Sequence, residues 1–321
     1  MKAVVLAGGF ATRLWPITRH RPKMLLPIGD TTVIDRVFAE LEADDRIDEA
    51  FVSTNAAFAD EFETYLADSE FTKPTLSVEE TTEEDEKFGV VGALAQLVDR
   101  EDIDDDLVVV AGDNLIGFDL AEFVDAFEAN DGPTLAAYDV ETREKATAYG
   151  VIDTEDGRVV DFEEKPDDPP STLVSIACYA FPRESLRFEE YLADGNNPDE
   201  PGWFVQWLVD RDEVYAFPFE AAWFDIGTPE SYLEAVAWAL DGDALVADDA
   251  TVVDSDLGAN VHVMSGARVV DSRLQNTVVF PNATVLDCEI HDSIVDEESR
   301  VEDIDLAGAL LGAHSQLTNG E

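Results

Sequence analysis

Four cations, Arg13, Arg19, Arg21 and Lys23, fall within eleven residues of a chain that has only 20 Lys and Arg against 72 Asp and Glu. They follow the pair Gly8-Gly9, which closes the apolar run Ala3 to Leu6. A protein this acidic repels anions over most of its surface, so cations gathered behind a glycine turn mark a place built for an anion. Backbone N–H groups of such a turn, flanked by fixed cations, make a phosphate cradle. The plain alternative is that these cations pair with neighbouring carboxylates on a solvated face, and the local poverty in acids argues against it. Asp113 is a second chemical feature. It stands in Gly112-Asp113-Asn114, directly after the apolar run Leu107 to Ala111. A carboxylate at the end of a buried strand is a hard-oxygen ligand placed to share Mg²⁺ with substrate phosphates, although such a turn also starts ordinary helices. Lys165 is a third, one of six lysines, set among acids in Phe162-Glu163-Glu164-Lys165-Pro166. Its bland reading is a surface salt bridge with Glu163 or Glu164, worth little.

These residues need a scaffold, and the hydrophobic patterning supplies one. Ala3–Leu6, residues 49–54, 76–78 and 107–111 read as short buried strands. Residues 32–43, 57–66 and 89–98 read as amphipathic helices between them. Strands alternating with helices imply right-handed crossovers and a mostly parallel sheet, with ligands bound beyond the carboxyl ends of the strands. The Gly8 loop and Asp113 are therefore expected as neighbours. From Pro133 the pattern turns antiparallel, with short strands at 134–140, 150–153 and 158–162 and an Asp156-Gly157 hairpin turn. Ser175 to Phe181 reads as a buried strand and 203–210 as a helix. Thr228-Pro229-Glu230 reads as a helix start with Pro at its first position. Residues 79–86 read as an acidic surface loop.

The tail has a period. Val246, Val263, Val279, Val295 and Leu311 recur every 16 or 17 residues, with further aliphatics every five or six between them. A three-sided coil of short parallel strands gives that spacing. The expected domains are thus 1–243 and 244–321.

The segments LAGGFATRLWP (6–16), PKMLLP (22–27), GVVGAL (89–94), GDN (112–114), YGVI (149–152), FEEKP (162–166) and WFDIGTPESY (223–232) together resemble the sugar-phosphate nucleotidyltransferases, the NDP-sugar pyrophosphorylases. The likeness runs from residue 1 to about 240 and is nearest to the glucose-1-phosphate thymidylyl- and uridylyltransferases. It implies a Rossmann-like α/β catalytic domain, and the tail resembles a left-handed β-helix of hexapeptide-repeat type. It further implies Leu6, Ala7, Gly8, Gly9, Thr12, Glu80, Gly89 and Gly92 as nucleotide contacts. Gly150, Glu164, Lys165 and Ser175 take the sugar phosphate, and Asp113 and Asp225 the Mg²⁺. Arg13 and Lys23 are the implied phosphate-handling catalytic residues. Four departures stand out: Ala11 and Ala177 replace glycines, Val90 replaces Thr, and Ser175 replaces Asn.

The implied reaction is transfer of a nucleotidyl group from dTTP or UTP to glucose-1-phosphate. The Leu14-Trp15-Pro16 of the loop also fits mannose-1-phosphate guanylyltransferases. A glycosyltransferase on a similar sheet would usually show Asp-x-Asp where this chain has Gly112-Asp113-Asn114. An acyltransferase tail using His262, His291 or His314 and a non-catalytic regulatory homologue are the remaining alternatives. A formal charge of −52 makes nucleic acid an unsuitable partner. With 45% hydrophobic residues, that charge points to a folded protein of an extreme halophile's cytoplasm rather than to disorder. Only Cys178 and Cys288 are present, which fits a reducing compartment and no disulfide framework. No leader or membrane span is expected, and a homo-oligomer through the coil is.

Overall fold

A computed structural model of the chain describes residues 1–79 and 88–319. The chain forms two compact units, one of Met1–Gly9 with Ile34–Trp223 and one of Phe10–Val33 with Phe224–Glu321.

The first unit is built on a nine-stranded sheet. Strands Pro74–Glu79, Glu49–Asn55, Lys2–Leu6 and Leu107–Ala111 lie side by side and parallel. Ala3, Val4, Val5 and the whole run Leu107–Val110 are completely buried, which is why these strands read as unbroken apolar stretches. Beyond them the sheet is mixed, and the expectation of a mostly parallel sheet holds only for this half. Leu173–Phe181 runs antiparallel to both Leu107–Ala111 and Thr134–Asp139. Gly150–Glu155 and Arg158–Glu164 pair antiparallel with each other. The cause is local: Asp156 and Gly157, with φ of 51° and 82°, close a two-residue turn. Such a turn reverses the chain with no crossover helix. Helix Pro201–Val209 packs on this part of the sheet through Phe204, Val205 and Trp207, in one core with Tyr179, Phe181 and Phe188.

In the second unit, helix Pro229–Leu240 starts at Thr228, whose side chain accepts from Ser231 N–H while the Ser231 side chain reaches back, a capping box with Pro at the first position. The tail then coils in three ladders of parallel strands. In the first ladder Val246 pairs with Val263, Val263 with Val279, Val279 with Val295 and Val295 with Leu311, the expected period. The second ladder runs Thr251–Val253, Arg268–Val270, Thr284–Leu286, Arg300–Glu302 and Gln316–Thr318. The third joins Asp256–Leu257 to the starts of Arg273–Val279 and Glu289–Val295, then Leu306–Ala307. Val263, Val269, Leu274, Val279, Val285, Ile290, Val295 and Val301 fill the interior. The outward row His262, Val278 and Ile294 is buried as well, and helix Pro229–Leu240 packs on these strands. Among the described residues no helix is long and apolar enough to cross a membrane. Cys178 and Cys288 are free and buried, and burial pushes both thiols up.

Candidate active site

In the first unit the register of Lys2–Leu6 aligns Leu6 with Ser53 on one side and Ala111 on the other. Two loops therefore leave the sheet from adjacent strands. Ala7 N–H donates to Ser53 O at 2.7 Å, Asn55 Nδ2 donates to Gly8 O at 2.7 Å, and Gly112 N–H donates to Leu6 O at 2.9 Å. The Gly8 loop and the half-buried Asp113 are neighbours, as the alternation of elements implied. Gly8 and Gly9 are exposed, and a Cβ at Gly9 would meet nothing within 4 Å, so this backbone is open to close approach. The left-handed residue of the loop is Ala11, with φ 49°. Next to Asp113, the buried Asn114 accepts from Trp223 Nε1 at 2.9 Å, and the Trp223 ring meets Tyr149 edge-on.

Gly89 caps helix Val90–Arg100 with φ 75°, and a Cβ there would fall 2.4 Å from Pro198 O. Val91 N–H donates to that same carbonyl at 2.9 Å. Packing against residues 198–199 alone thus requires glycine here. Glu80 lies outside the described residues.

The residues assigned to the sugar phosphate converge. Gly150 pairs with Glu164 on one side and with Ser175 on the other. Lys165 N–H donates to Tyr149 O at 3.0 Å. The pairing of Leu173–Phe181 with Thr134–Asp139 breaks between Ser175 and Tyr179, an irregularity of the sort found beside binding sites. Glu164 is only 8% exposed, and burial pushes its carboxyl up to about 7, with Lys165 opposing and Glu200 adding to the rise. Its carboxylate is wedged between two glycines. A Cβ on Gly202 would fall 1.7 Å from Glu164 Oε2, and one on Gly150 would fall 2.8 Å from it. Lys165 is paired neither with Glu163 nor with Glu164. It pairs with Glu200, the residue that precedes helix Pro201–Val209. Glu200 and Gly202 carry no motif and were not singled out from sequence.

In the second unit, Arg13 sits in the single turn Thr12–Leu14 and Lys23 in the single turn Lys23–Leu25. The Arg13 guanidinium lies against Gly227, where a Cβ would fall 2.9 Å from Nη2. Gly227 N–H donates to the Asp225 backbone O at 3.0 Å, so Arg13 lies against the turn that follows Asp225. Arg21 belongs elsewhere: it pairs with Asp296 at 3.0 Å and Glu297 at 3.1 Å, and is no part of an anion cradle. The three tail histidines do not assemble. His262 is buried and pushed down to about 4, while His291 and His314 are exposed beside Asp292 and Glu298.

Among the described residues no group of three or more His, Cys, Asp or Glu could cage a metal. Asp113 in the first unit and Asp225 in the second each offer a carboxylate of the kind Mg²⁺ takes, since that ion binds one or two carboxylates and completes its shell with water and phosphate oxygens.

Residues 2–242 match the family model described as nucleotidyl transferase. The chain is 31% identical over 269 residues to the low-salt glycan biosynthesis nucleotidyltransferase Agl11 of Haloferax volcanii, covering 78% of this chain and 71% of that one. It is 31% identical over 242 residues to a mannose-1-phosphate guanylyltransferase of Mycobacterium tuberculosis, covering 73% and 63%. The chain spans 61% to 71% of the length of three such relatives. A crystal structure of a "Putative Glucose-1-Phosphate Thymidylyltransferase" from Bacillus anthracis superposes with a TM-score of 0.66, at 24% identity, over 76% of this chain and 96% of that one. The parallel strands that end in the Gly8 loop and Asp113, and a family match spanning both with Lys165 and Asp225, have one reading: the chain belongs to the nucleotidyl transferase family.

Proposed function

We propose that this protein transfers a nucleotidyl group from an NTP to a sugar-1-phosphate and releases pyrophosphate. A phosphate oxygen of the sugar phosphate attacks the α-phosphorus in line. The new P–O bond forms as the bond to the pyrophosphate oxygen breaks. The attacking oxygen is already ionised, so no general base is needed, and catalysis consists of positioning and charge neutralisation. The backbone from Leu6 to Gly9, exposed at Gly8 and Gly9, receives the nucleotide together with Thr12, Gly89 and Gly92. Arg13 stabilises the departing pyrophosphate and Lys23 neutralises phosphate charge. Lys165 positions the sugar phosphate, whose anion competes with Glu200 for the ammonium. Gly150, Glu164 and Ser175 hold the sugar. Asp113 and Asp225 are the carboxylates that would hold Mg²⁺, which when bound offsets the charge on the phosphate oxygens.

Strand register supports this most directly, because Gly150, Glu164 and Ser175, distant in sequence, stand side by side with Lys165 next to them. We favour dTTP or UTP with glucose-1-phosphate. GTP with mannose-1-phosphate is the second reading, supported by the name of the Mycobacterium relative. We assign the catalytic domain to 1–243 and the coil to 244–321, give the coil the left hand of hexapeptide-type solenoids, and take it as the contact of a cytoplasmic homo-oligomer. The acidic composition supports a requirement for multimolar salt. Asp113→Ala tests the assignment. Turnover should vanish while the unfolding midpoint is kept, and a near-normal rate would remove Asp113 from the reaction.

A further inference from the structure

The segment Phe10–Val33, which carries Arg13 and Lys23, has little structure of its own. It holds two single 3₁₀ turns, Thr12–Leu14 and Lys23–Leu25, and a two-residue ribbon of Pro27–Ile28 with Thr31–Thr32. Pieces this short do not order themselves. Fixing such a chain costs about 1–2 kcal/mol per residue, so its order comes from what it packs against.

It packs against one row of the coil. Met264, Phe280, Asp296 and Gly312 follow one another at intervals of 16 residues, at the point where the chain leaves the first ladder. Met264 N–H donates to Val279 O, Phe280 N–H to Val295 O and Asp296 N–H to Leu311 O, so the row is in register. Arg21 meets three members of this edge. Its guanidinium lies 4.8 Å over the Phe280 ring, pairs with Asp296 Oδ1 at 3.0 Å, and reaches Glu297 Oε2 at 3.1 Å. One turn further on, Pro16 rests on Gly312, where a Cβ would fall 2.6 Å from Pro16 Cγ. Tyr232 Oη adds a hydrogen bond to Pro27 O at 2.8 Å, from the helix that covers the coil.

Asp296 is the unusual member. It is 2% exposed in a row whose other positions are apolar or glycine. Its Oδ1 also accepts from Glu297 N–H at 2.8 Å, which a serine or asparagine could equally do. A buried carboxylate is costly unless it is paired, and its partner here is Arg21. The pair is shielded from salt, whereas exposed pairs are screened.

We propose that Asp296 is a positioning residue for the nucleotide. Through Arg21, and with Gly312 seating Pro16, the coil sets the segment from which Arg13 and Lys23 act on phosphate. Lys23 is two residues from the anchored guanidinium, and Arg13 is three from the seated proline. The tail is thus part of the phosphate-handling machinery. This rests on the nucleotidyl-transfer reading above for its kinetic consequence, though not for the contacts themselves.

The test uses the full chain with Asp296→Asn, which keeps shape and removes charge, and Gly312→Ala, which displaces Pro16 by a different route. Pyrophosphate release is followed in multimolar KCl while NTP and sugar phosphate are varied separately. Misplacing phosphate-binding groups by a fraction of an ångström should raise KM for the NTP about tenfold in both variants. KM for the sugar phosphate, whose proposed residues lie in the other unit, should stay within about twofold. Amide hydrogen exchange at Leu14, Ile17, Leu25 and Leu26 should quicken in both. An unchanged NTP KM, or equal rises for the two substrates, would overturn the proposal. So would unaltered exchange in this segment, and that readout stands even if the unsubstituted protein turned over no substrate pair, a result that would instead sink the nucleotidyl-transfer reading.

Discussion

Gly202→Ala should change sign with its background. Gly202 is the second residue of helix Pro201–Val209 and does not have positive φ, so alanine is allowed there by backbone geometry. Alanine for glycine within a helix gains about 0.5–1 kcal/mol. Against that, the new Cβ would fall 1.7 Å from Glu164 Oε2 and 2.6 Å from its Cδ. The carboxylate cannot retreat, because Gly150 closes the other side. Overpacking of this kind costs about 1–3 kcal/mol. Net destabilisation of up to about 2.5 kcal/mol is expected in the natural chain. With Glu164→Ala already in place the clash is gone, and the same substitution should stabilise by the helix term alone, about 0.5–1 kcal/mol. The coupling between the sites is then about 1–3 kcal/mol. Urea midpoints of the four proteins at fixed KCl, followed by tryptophan emission, measure it. Equal effects of Gly202→Ala in both backgrounds would refute the idea that this glycine exists to seat the Glu164 carboxylate.

The same carboxylate gives a pH signature. Burial raises Glu164 from 4.5 to about 7 in the folded protein, so between those values the folded state holds a proton that the unfolded chain has lost. Stability should fall by up to about 3 kcal/mol as pH rises through that window. Glu164→Gln should flatten this part of the stability–pH curve. Along one edge of the coil, Asp254, Asp271, Asp287 and Asp303 all have φ between 50° and 54° and stack turn upon turn. Strand spacing puts neighbours about 4.8 Å apart, where two charges repel by about 0.9 kcal/mol even in water. The melting temperature should therefore climb with KCl, and Asp271→Asn with Asp287→Asn, which keep the left-handed backbone, should reduce that slope. Ala11→Gly removes a left-handed alanine costing about 1–2 kcal/mol but adds about 0.4–1 kcal/mol of unfolded-state freedom. Stability from urea unfolding should stay the same or rise by up to about 1.6 kcal/mol, and a clear loss would mean that the Ala11 methyl is itself held by contacts.

The period of the tail was legible in sequence because it is the chain length of one layer of stacked parallel strands: Val246, Val263, Val279, Val295 and Leu311 mark it and then pair in that order. The adjacency of the Gly8 loop and Asp113 was legible for a related reason, since short apolar runs ending in glycine fix both strand and exit. Arg21 was misread. Four clustered cations look alike in sequence, and nothing local says that Asp296, far along the chain, folds onto one of them. Gly202 and Gly227 were invisible as site residues because glycine at a helix start or a turn has an ordinary local explanation. Their purpose lies in the side chain each one faces, Glu164 and Arg13. The mixed half of the sheet was only partly legible, because the hairpin at Asp156-Gly157 is a local signal while the joining of Leu173–Phe181 to Leu107–Ala111 is not.

Pyrophosphate release tests the account most directly. The protein is assayed with Mg²⁺ in multimolar KCl against dTTP, UTP, GTP, ATP and CTP, each with glucose-1-phosphate and then mannose-1-phosphate. Release that needs both an NTP and a sugar phosphate, strongest with dTTP or UTP and glucose-1-phosphate, is the predicted result. Silence across every pair from folded protein would contradict nucleotidyl transfer to these sugar phosphates.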